Sequence, residues 1–313
     1  MTKTFSNKFR NANDAFQYWY QCIEHYGTEF AGTKALFNVG FQMDKPNEMD
    51  IKESWRKWNP DYAAAEWAWY MTGDTNIKTF SNRFRNADEA FQYWYQCIEH
   101  YGTDFAGTKA LFNIGFQMDH PDEMHIKESW RKWNPDYAAA EWAWYMTGDR
   151  NIKTLGKLYG KVPAIWKRMA DDHGNVNSNY GHQWGRNSQL DYVIEKLRRD
   201  PNTRQATISI YDGKEHSLYK HDTPCTYAIQ FTVVNDRLNM CVTMRSNDLW
   251  YGFCNDQYCF AQLQLLVKEE TDYKLGSYFH FAHNLHLYEK DLGKFLSKKE
   301  KGPAQSRADE YGW

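Results

Sequence analysis

Residues 4–78 recur at 79–153 with a period of 75 and nine differences, at 8/83, 13/88, 14/89, 29/104, 39/114, 45/120, 47/122, 50/125 and 75/150. This repeat constrains the fold more than any other feature of the chain. Solenoids stack several short units on one another. Two long, nearly identical copies instead indicate a tandem duplication of the N-terminal part of one domain. Such a domain has one place for the segment. The second copy runs directly into Thr154 and the rest of the chain, so residues 79–313 are expected to form the main domain. Residues 1–78 then hold a surplus copy.

Both copies have the same pattern. In the second, Asp88 is positioned to cap a helix that carries Phe91, Trp94, Ile98 and Tyr101 on one face and ends at Gly102. Ala110, Phe112, Ile114, Phe116 and Met118 then alternate with Leu111, Asn113, Gly115 and Gln117, a strand period. A helix over about 137–146 carries Glu141, matched in the first copy by Glu66. Further on, Leu190, Val193, Ile194 and Leu197 make a helical stripe. Strands are predicted at 206–211, 226–234, 238–245 and 277–288, and a helix from Asp256 to Lys268. The pattern is α+β, a sheet packed by helices.

The 313 residues carry a net charge of −2, so no basic surface points to nucleic acid or an anionic membrane. No apolar run approaches the roughly 18–20 residues of a membrane span. Met1 to Asn7 lack the apolar stretch of a signal peptide. A cytoplasmic protein is expected, and its six cysteines, none in a CxxC pair, should stay reduced. His280, His283 and His286 invite a metal reading. On a strand, however, His283 faces away from the other two, and no metal site is expected.

Five motifs stand in a fixed order. Glu141 to Met146 precede Thr147-Gly148-Asp149-Arg150-Asn151-Ile152, and Asn177-Ser178-Asn179-Tyr180-Gly181 follows. Asp200-Pro201-Asn202-Thr203-Arg204 comes next, then Pro224-Cys225-Thr226 with Arg245-Ser246-Asn247-Asp248 through Gly252 to Asp256. Leu285-His286-Leu287-Tyr288 is last. Together they resemble the thymidylate synthase family, with wording nearest its phage deoxycytidylate (dCMP) hydroxymethylase branch.

That resemblance implies a thymidylate synthase-like fold and a homodimer joined sheet to sheet. Each active site would borrow phosphate-binding arginine from its partner. It also implies 5,10-methylenetetrahydrofolate as the one-carbon donor and a pyrimidine nucleoside monophosphate, dCMP foremost, as acceptor. Cys225 would be the thiolate that adds to carbon 6 of the base and makes carbon 5 nucleophilic. Arg245 is expected to lower the thiol pKa and, with Ser246 and Arg204, to hold the phosphate. Glu141 would move protons and orient a water, with Tyr180 in its hydrogen-bond network. His286 and Tyr288 would hold the sugar. Asp248, Trp166, Ile165 and Gly252 would meet the folate.

Asp256 stands where thymidylate synthases carry an Asn that reads uracil. Cytosine presents a bare N3 and an amino group where uracil presents an N–H and a carbonyl. A protonated Asp can donate to the first and accept from the second, and a carboxylate can pair with a protonated ring. The expected product is therefore 5-hydroxymethyl-dCMP, in a phage context made in the host cytoplasm. Folate-dependent methylation to 5-methyl-dCMP or dTMP, hydroxymethylation of CMP, and a non-enzymatic binding homologue are the alternatives. Three positions depart from the thymidylate synthase pattern: Thr226 follows the cysteine in place of His, Gln205 replaces one arginine of a doublet, and Phe105 occupies an arginine position.

Overall fold

The computed structural model describes residues 8–48, 50–52 and 80–295. Glu66 and the polar tail beyond Phe295 lie outside them.

In the first copy, β1 (Lys8–Phe9) precedes α1 (Ala12–Tyr26), and three short strands follow: β2 (Thr28–Phe30), β3 (Thr33–Ala35) and β4 (Gln42–Met43). Among the described residues β1 pairs only with β4 and β2 only with β3. The second copy opens on β5 (Phe80–Phe84), α2 (Ala87–Tyr101) and β6 (Thr103–Phe105), then forms one 11-residue strand, β7 (Thr108–Met118). Next come α3 (Pro135–Thr147), α4 (Ile152–Tyr159), α5 (Ala164–Met169), α6 (Tyr180–Gly185) and α7 (Gln189–Arg199). Strands β8 (Thr207–Ser209), β9 (Thr226–Val234), β10 (Arg237–Met244) and β11 (Asn247–Asp248) lead through a π-helical turn, Leu249–Phe253, into α8 (Cys254–Thr271). β12 (Lys274–Tyr288) completes the series.

The main sheet runs β5-β7-β12-β10-β9-β8, with β6 added beside β7 and β11 beside β12. It is mixed: β12 is antiparallel to β7 and parallel to β10 and β11. This is the expected α+β architecture. The helices cover one face. Gln264 of α8 donates to the carbonyl of Leu238 at 2.9 Å, and Tyr273 OH donates to that of Leu197 in α7 at 2.9 Å. On the other face Gln230, Thr232, Asn239, Cys241, Thr243 and Phe281 stay half-buried.

Two local expectations need correction. The α2 cap is Asn86, whose Oδ1 accepts from Glu89 N at 3.1 Å; Asp88 instead accepts from Lys127 N at 2.7 Å. Tyr101, at the end of the helix, is 61% exposed, and Tyr95 takes its place in the buried stripe with Phe91, Trp94 and Ile98. In β7 the core side changes midway. Ile114, Phe116 and Met118 join the core, but Leu111 does so in place of Phe112, which packs edge-on against Phe105. The cause is Asn113, held at φ 55°, a left-handed conformation that interrupts the period of two.

Arg150 is one of the nine residues that distinguish the copies. Its Nε donates to Val176 O at 2.9 Å and its guanidinium reaches Asn177 Oδ1 at 2.5 Å. Its counterpart, Thr75, lies outside the described residues.

Candidate active site

Glu141 lies in the middle of α3, 4% exposed. Its neighbours at i−4 and i+4 are Tyr137 and Tyr145, which share its helix face. Both hydroxyls donate to Glu141 Oε1, at 3.1 and 3.4 Å. Trp166 of α5 donates from Nε1 to the Tyr137 hydroxyl at 2.7 Å. Burial, with the charge of Asp256 second, pushes the Glu141 carboxyl up to about 8. At neutral pH it is a proton donor in a pocket of aromatic rings. The spacing of 137, 141 and 145 was visible in the sequence and would have identified both tyrosines.

Gly181 sets how α6 meets α3. A Cβ there would lie 1.6 Å from Tyr145 O, so no other residue allows this backbone approach. It brings the ring of Tyr180 edge-on to Tyr145, with centroids 5.6 Å apart. The Tyr180 hydroxyl accepts from Cys225 N at 3.3 Å and Thr226 N at 3.2 Å. Tyr180 thus holds the start of β9. No direct hydrogen bond joins it to Glu141 among the described residues.

Cys225 is half-buried beside Arg245, whose backbone N donates to Cys225 O at 2.8 Å. The guanidinium of Arg245 donates to Tyr211 OH at 2.8 Å and to Thr223 O at 2.9 Å, and the residue as a whole is exposed. Arg245 lowers the thiol pKa, as expected, but burial outweighs it and pushes the pKa up to about 11. The resting thiol is protonated.

The pairing of β11 with β12 places Asp248 opposite His286. Asp248 Oδ1 accepts from Trp250 N at 2.8 Å and Tyr251 N at 3.3 Å, and burial still raises its carboxyl to about 6. Asp256, in the first turn of α8, does not cap the helix. Its Oδ2 accepts from Asn247 Nδ2 at 2.8 Å, and desolvation raises the carboxyl to about 7. Gly252 lies over this bond: an added Cβ would stand 3.0 Å from Asn247 Nδ2 and 3.2 Å from Asp256 Oδ2.

Tyr288 is 43% exposed, edge-on to His286, which itself bonds to Asn284 Oδ1 at 2.8 Å. Ser246 follows Arg245 and is half-buried, whereas Arg204 is exposed in the turn after α7. Ile165 is 43% exposed beside the buried Trp166. His280 and His283 diverge as a strand requires. His283 pairs with Tyr227 and Asn113, and His280 with Tyr278 and Asn247. No helix among the described residues is long and apolar enough to cross a membrane.

Sequence reasoning missed Tyr137, Tyr145, Asn247 and His280. The bond that joins the last two has no local signal, since Asn247 and His280 lie on different strands and Asp256 lies beyond the π-helical turn.

Comparison with known proteins covers much of this region. The family model described as thymidylate synthase matches residues 99–307. The match begins within α2 and leaves the first copy outside. A thymidylate synthase of Fusobacterium nucleatum subsp. nucleatum is 29% identical over 202 residues, which is 62% of this chain and 71% of that protein. That family uses 5,10-methylenetetrahydrofolate as its one-carbon donor. With the mixed sheet, the buried glutamate and the half-open cysteine in place, the chain belongs to the thymidylate synthase family, enzymes of folate-dependent one-carbon transfer to pyrimidine nucleotides.

Proposed function

We propose that the protein is a dCMP hydroxymethylase: it transfers a one-carbon unit to carbon 5 of dCMP and completes the reaction with water. The observation that carries this reading is Asp256. A carboxyl raised to about 7 keeps a proton to donate to the bare N3 of cytosine, while its other oxygen accepts from the amino group. Uracil, with N–H and carbonyl in those places, would meet a donor with a donor.

Bound folate supplies the one-carbon unit. The residues present fit such a group. The backbone bonds to Asp248 both fall on Oδ1, leaving Oδ2 for ring N–H groups. Ile165 and Tyr251, 43% and 50% exposed, offer apolar surface. Asp248, Trp166, Ile165 and Gly252 would hold it. Cys225 gives its proton up to solvent water as its sulfur adds to carbon 6 of the base, which loads carbon 5 with electron density. Arg245, Ser246 and Arg204 bind the phosphate, and His286 and Tyr288 the sugar. Tyr180 fixes the backbone that presents Cys225. Glu141, protonated at rest, exchanges protons with the base, and once ionised it orients the water that distinguishes hydroxymethylation from methylation.

The half-buried outer face of the sheet suits pairing with a second copy, and the exposed Arg204 suits reaching that copy's site. We take the working form to be this homodimer, with 79–313 as its catalytic domain, the first copy surplus to it, and the cytoplasm as its location. Incubation with dCMP, dUMP or CMP plus 5,10-methylenetetrahydrofolate, followed by product mass, tests the reading. A gain of CH2O on dCMP is expected. A gain of CH2 on either deoxynucleotide would make the protein a methylase, and turnover of CMP in preference to dCMP would change the substrate.

A further inference from the structure

Asn247 stands between polar groups of two other elements. Its Nδ2 donates to Asp256 Oδ2 at 2.8 Å, and its Oδ1 lies 3.1 Å from His280 Nε2. His280 Nδ1 lies 2.9 Å from the Tyr278 hydroxyl. Asn247 is 2% exposed, His280 and Tyr278 0%. His280 is fixed between the rings of Phe116 and Phe253, at centroid distances of 5.1 and 5.3 Å.

The chain of bonds has one direction that satisfies every donor. His280 is neutral, since burial takes its pKa down to about 3, so it carries a single N–H. If that proton sat on Nδ1 it would donate to Tyr278, and the hydroxyl proton would be stranded in the core. Tyr278 makes no other hydrogen bond among the described residues. A buried donor without an acceptor is costly. Tyr278 therefore donates to Nδ1, His280 donates from Nε2 to Asn247 Oδ1, and the amide is left with N–H to give Asp256.

We propose that Asn247 is a positioning residue that decides which oxygen of Asp256 carries the proton. The relay commits Oδ2 to accepting, so Oδ1 presents its hydroxyl to the ring nitrogen of cytosine and Oδ2 keeps a lone pair for the amino group. This rests on the reading of Asp256 given above and adds the device that makes it selective. Without the relay the carboxyl could carry its proton on either oxygen, and a donor would face the amino group as often as the ring nitrogen. Gly252 belongs to the same device, because any side chain there would press on the Asn247–Asp256 bond.

Other ionisable groups face Asp256: Glu141 and Tyr145 from α3, Tyr180 from α6, Cys225, Asp248 from β11, Cys254 and Cys259 from its own helix, and Tyr278 from β12. Among the described residues only Asn247 gives Asp256 a side-chain hydrogen bond that favours the ionised carboxyl.

The test uses the full chain and compares kcat/KM for dCMP and dUMP across pH in the wild type, Asn247→Ala, His280→Leu, His280→Gln and Asp256→Asn. Loss of one oriented hydrogen bond predicts that Asn247→Ala lowers the dCMP:dUMP ratio by roughly tenfold. It also moves the alkaline limb for dCMP to higher pH, since a bond that favours the ionised carboxyl is gone. His280→Leu lowers the ratio in the same way, and His280→Gln, which keeps an N–H for Asn247, recovers much of it. Should Asn247→Ala not fold, the two His280 variants carry the comparison. A fall in rate with ratio and limb unmoved would overturn the proposal. If Asp256→Asn then still shifted preference to uracil, the base-reading assignment would stand. If Asp256→Asn left the ratio unchanged, both would fall.

Discussion

The duplication provides a matched pair of substitutions. Phe116 and Phe41 occupy equivalent positions in the repeat, within the same local sequence, Gly-Phe-Gln-Met-Asp. Phe116 is 0% exposed in β7, ringed by Phe84, Trp94, Phe253 and His280 at centroid distances of 5.8, 5.7, 5.6 and 5.1 Å. Phe41 is 39% exposed and meets Phe9 and Trp19 at 5.7 and 6.0 Å. Truncating a fully buried Phe loses both transfer energy and packing, about 3–5 kcal/mol. For a domain of this size that corresponds to a fall of roughly 6–20 °C in Tm. The same change at Phe41 removes a side chain already partly in water, outside the sheet that carries the site. It should alter the stability of the catalytic domain by less than about 0.5 kcal/mol. The assay is residual activity after brief heating, which reads only the catalytic unit, with a calorimetric scan alongside. Phe116→Ala should inactivate at a much lower temperature and Phe41→Ala at the wild-type temperature. Equal shifts, or a larger one for Phe41→Ala, would refute the view that the first copy is surplus.

Cys225→Ala should abolish turnover with the melting profile retained, and appreciable product from it would remove the covalent step. A thiol raised to about 11 is a thiol at neutral pH, so alkylation of Cys225 by iodoacetamide should be slow at pH 7 and climb steadily towards pH 11; a plateau near pH 7 would show a thiolate at rest. Glu141→Gln should depress kcat far more than nucleotide affinity. Glu141 and Asp256 also set a stability trend. Their folded-state values, about 8 and about 7, lie above the ordinary carboxylate range, so the fold favours their protonated forms. That contribution is whole below about pH 4 and is lost as pH rises through 7 and 8. The ligand-free protein should therefore lose thermal stability over that window, less steeply in Glu141→Gln. Deleting residues 4–78 should leave an active enzyme, and an inactive truncation beside an active full chain would show the first copy to be integral.

Much of the site was legible because it is built from short-range motifs. Cys225, Arg245, Asp248 and Asp256 stand near one another in sequence, and a single β-turn-β unit with its following helix brings them together. Glu141 came from its motif, and helical spacing about it would have pointed to Tyr137 and Tyr145. The Asn247 relay was not legible, because it depends on the register of β12 against β11 and on a π-helical turn. The sign of the Cys225 shift was not legible either. A motif shows that an arginine is near but not how deeply the thiol is buried.

The two copies separate local from tertiary determination. The helices α1 and α2 are alike: 15 residues each, capped by Asn11 and Asn86, closed by Gly27 and Gly102 at φ −62° and −64°. Caps, amphipathic spacing and the terminal glycine act within the segment, so the sequence alone determined them. The following segment differs at one position over eleven residues, Val39 for Ile114. Yet it forms a continuous strand only in the second copy, while residues 33–43 form two fragments of 3 and 2 residues. Tyr20 is 47% exposed where Tyr95 is 0%, and Ile23 is 36% exposed where Ile98 is 0%. A strand's hydrogen bonds and its buried face are both supplied by other parts of the chain. In the first copy β1 and β2 repeat the pairings that β5 and β6 make with β7. What β7 has in addition is β12 along its length, and among the described residues no strand takes that place in the first copy.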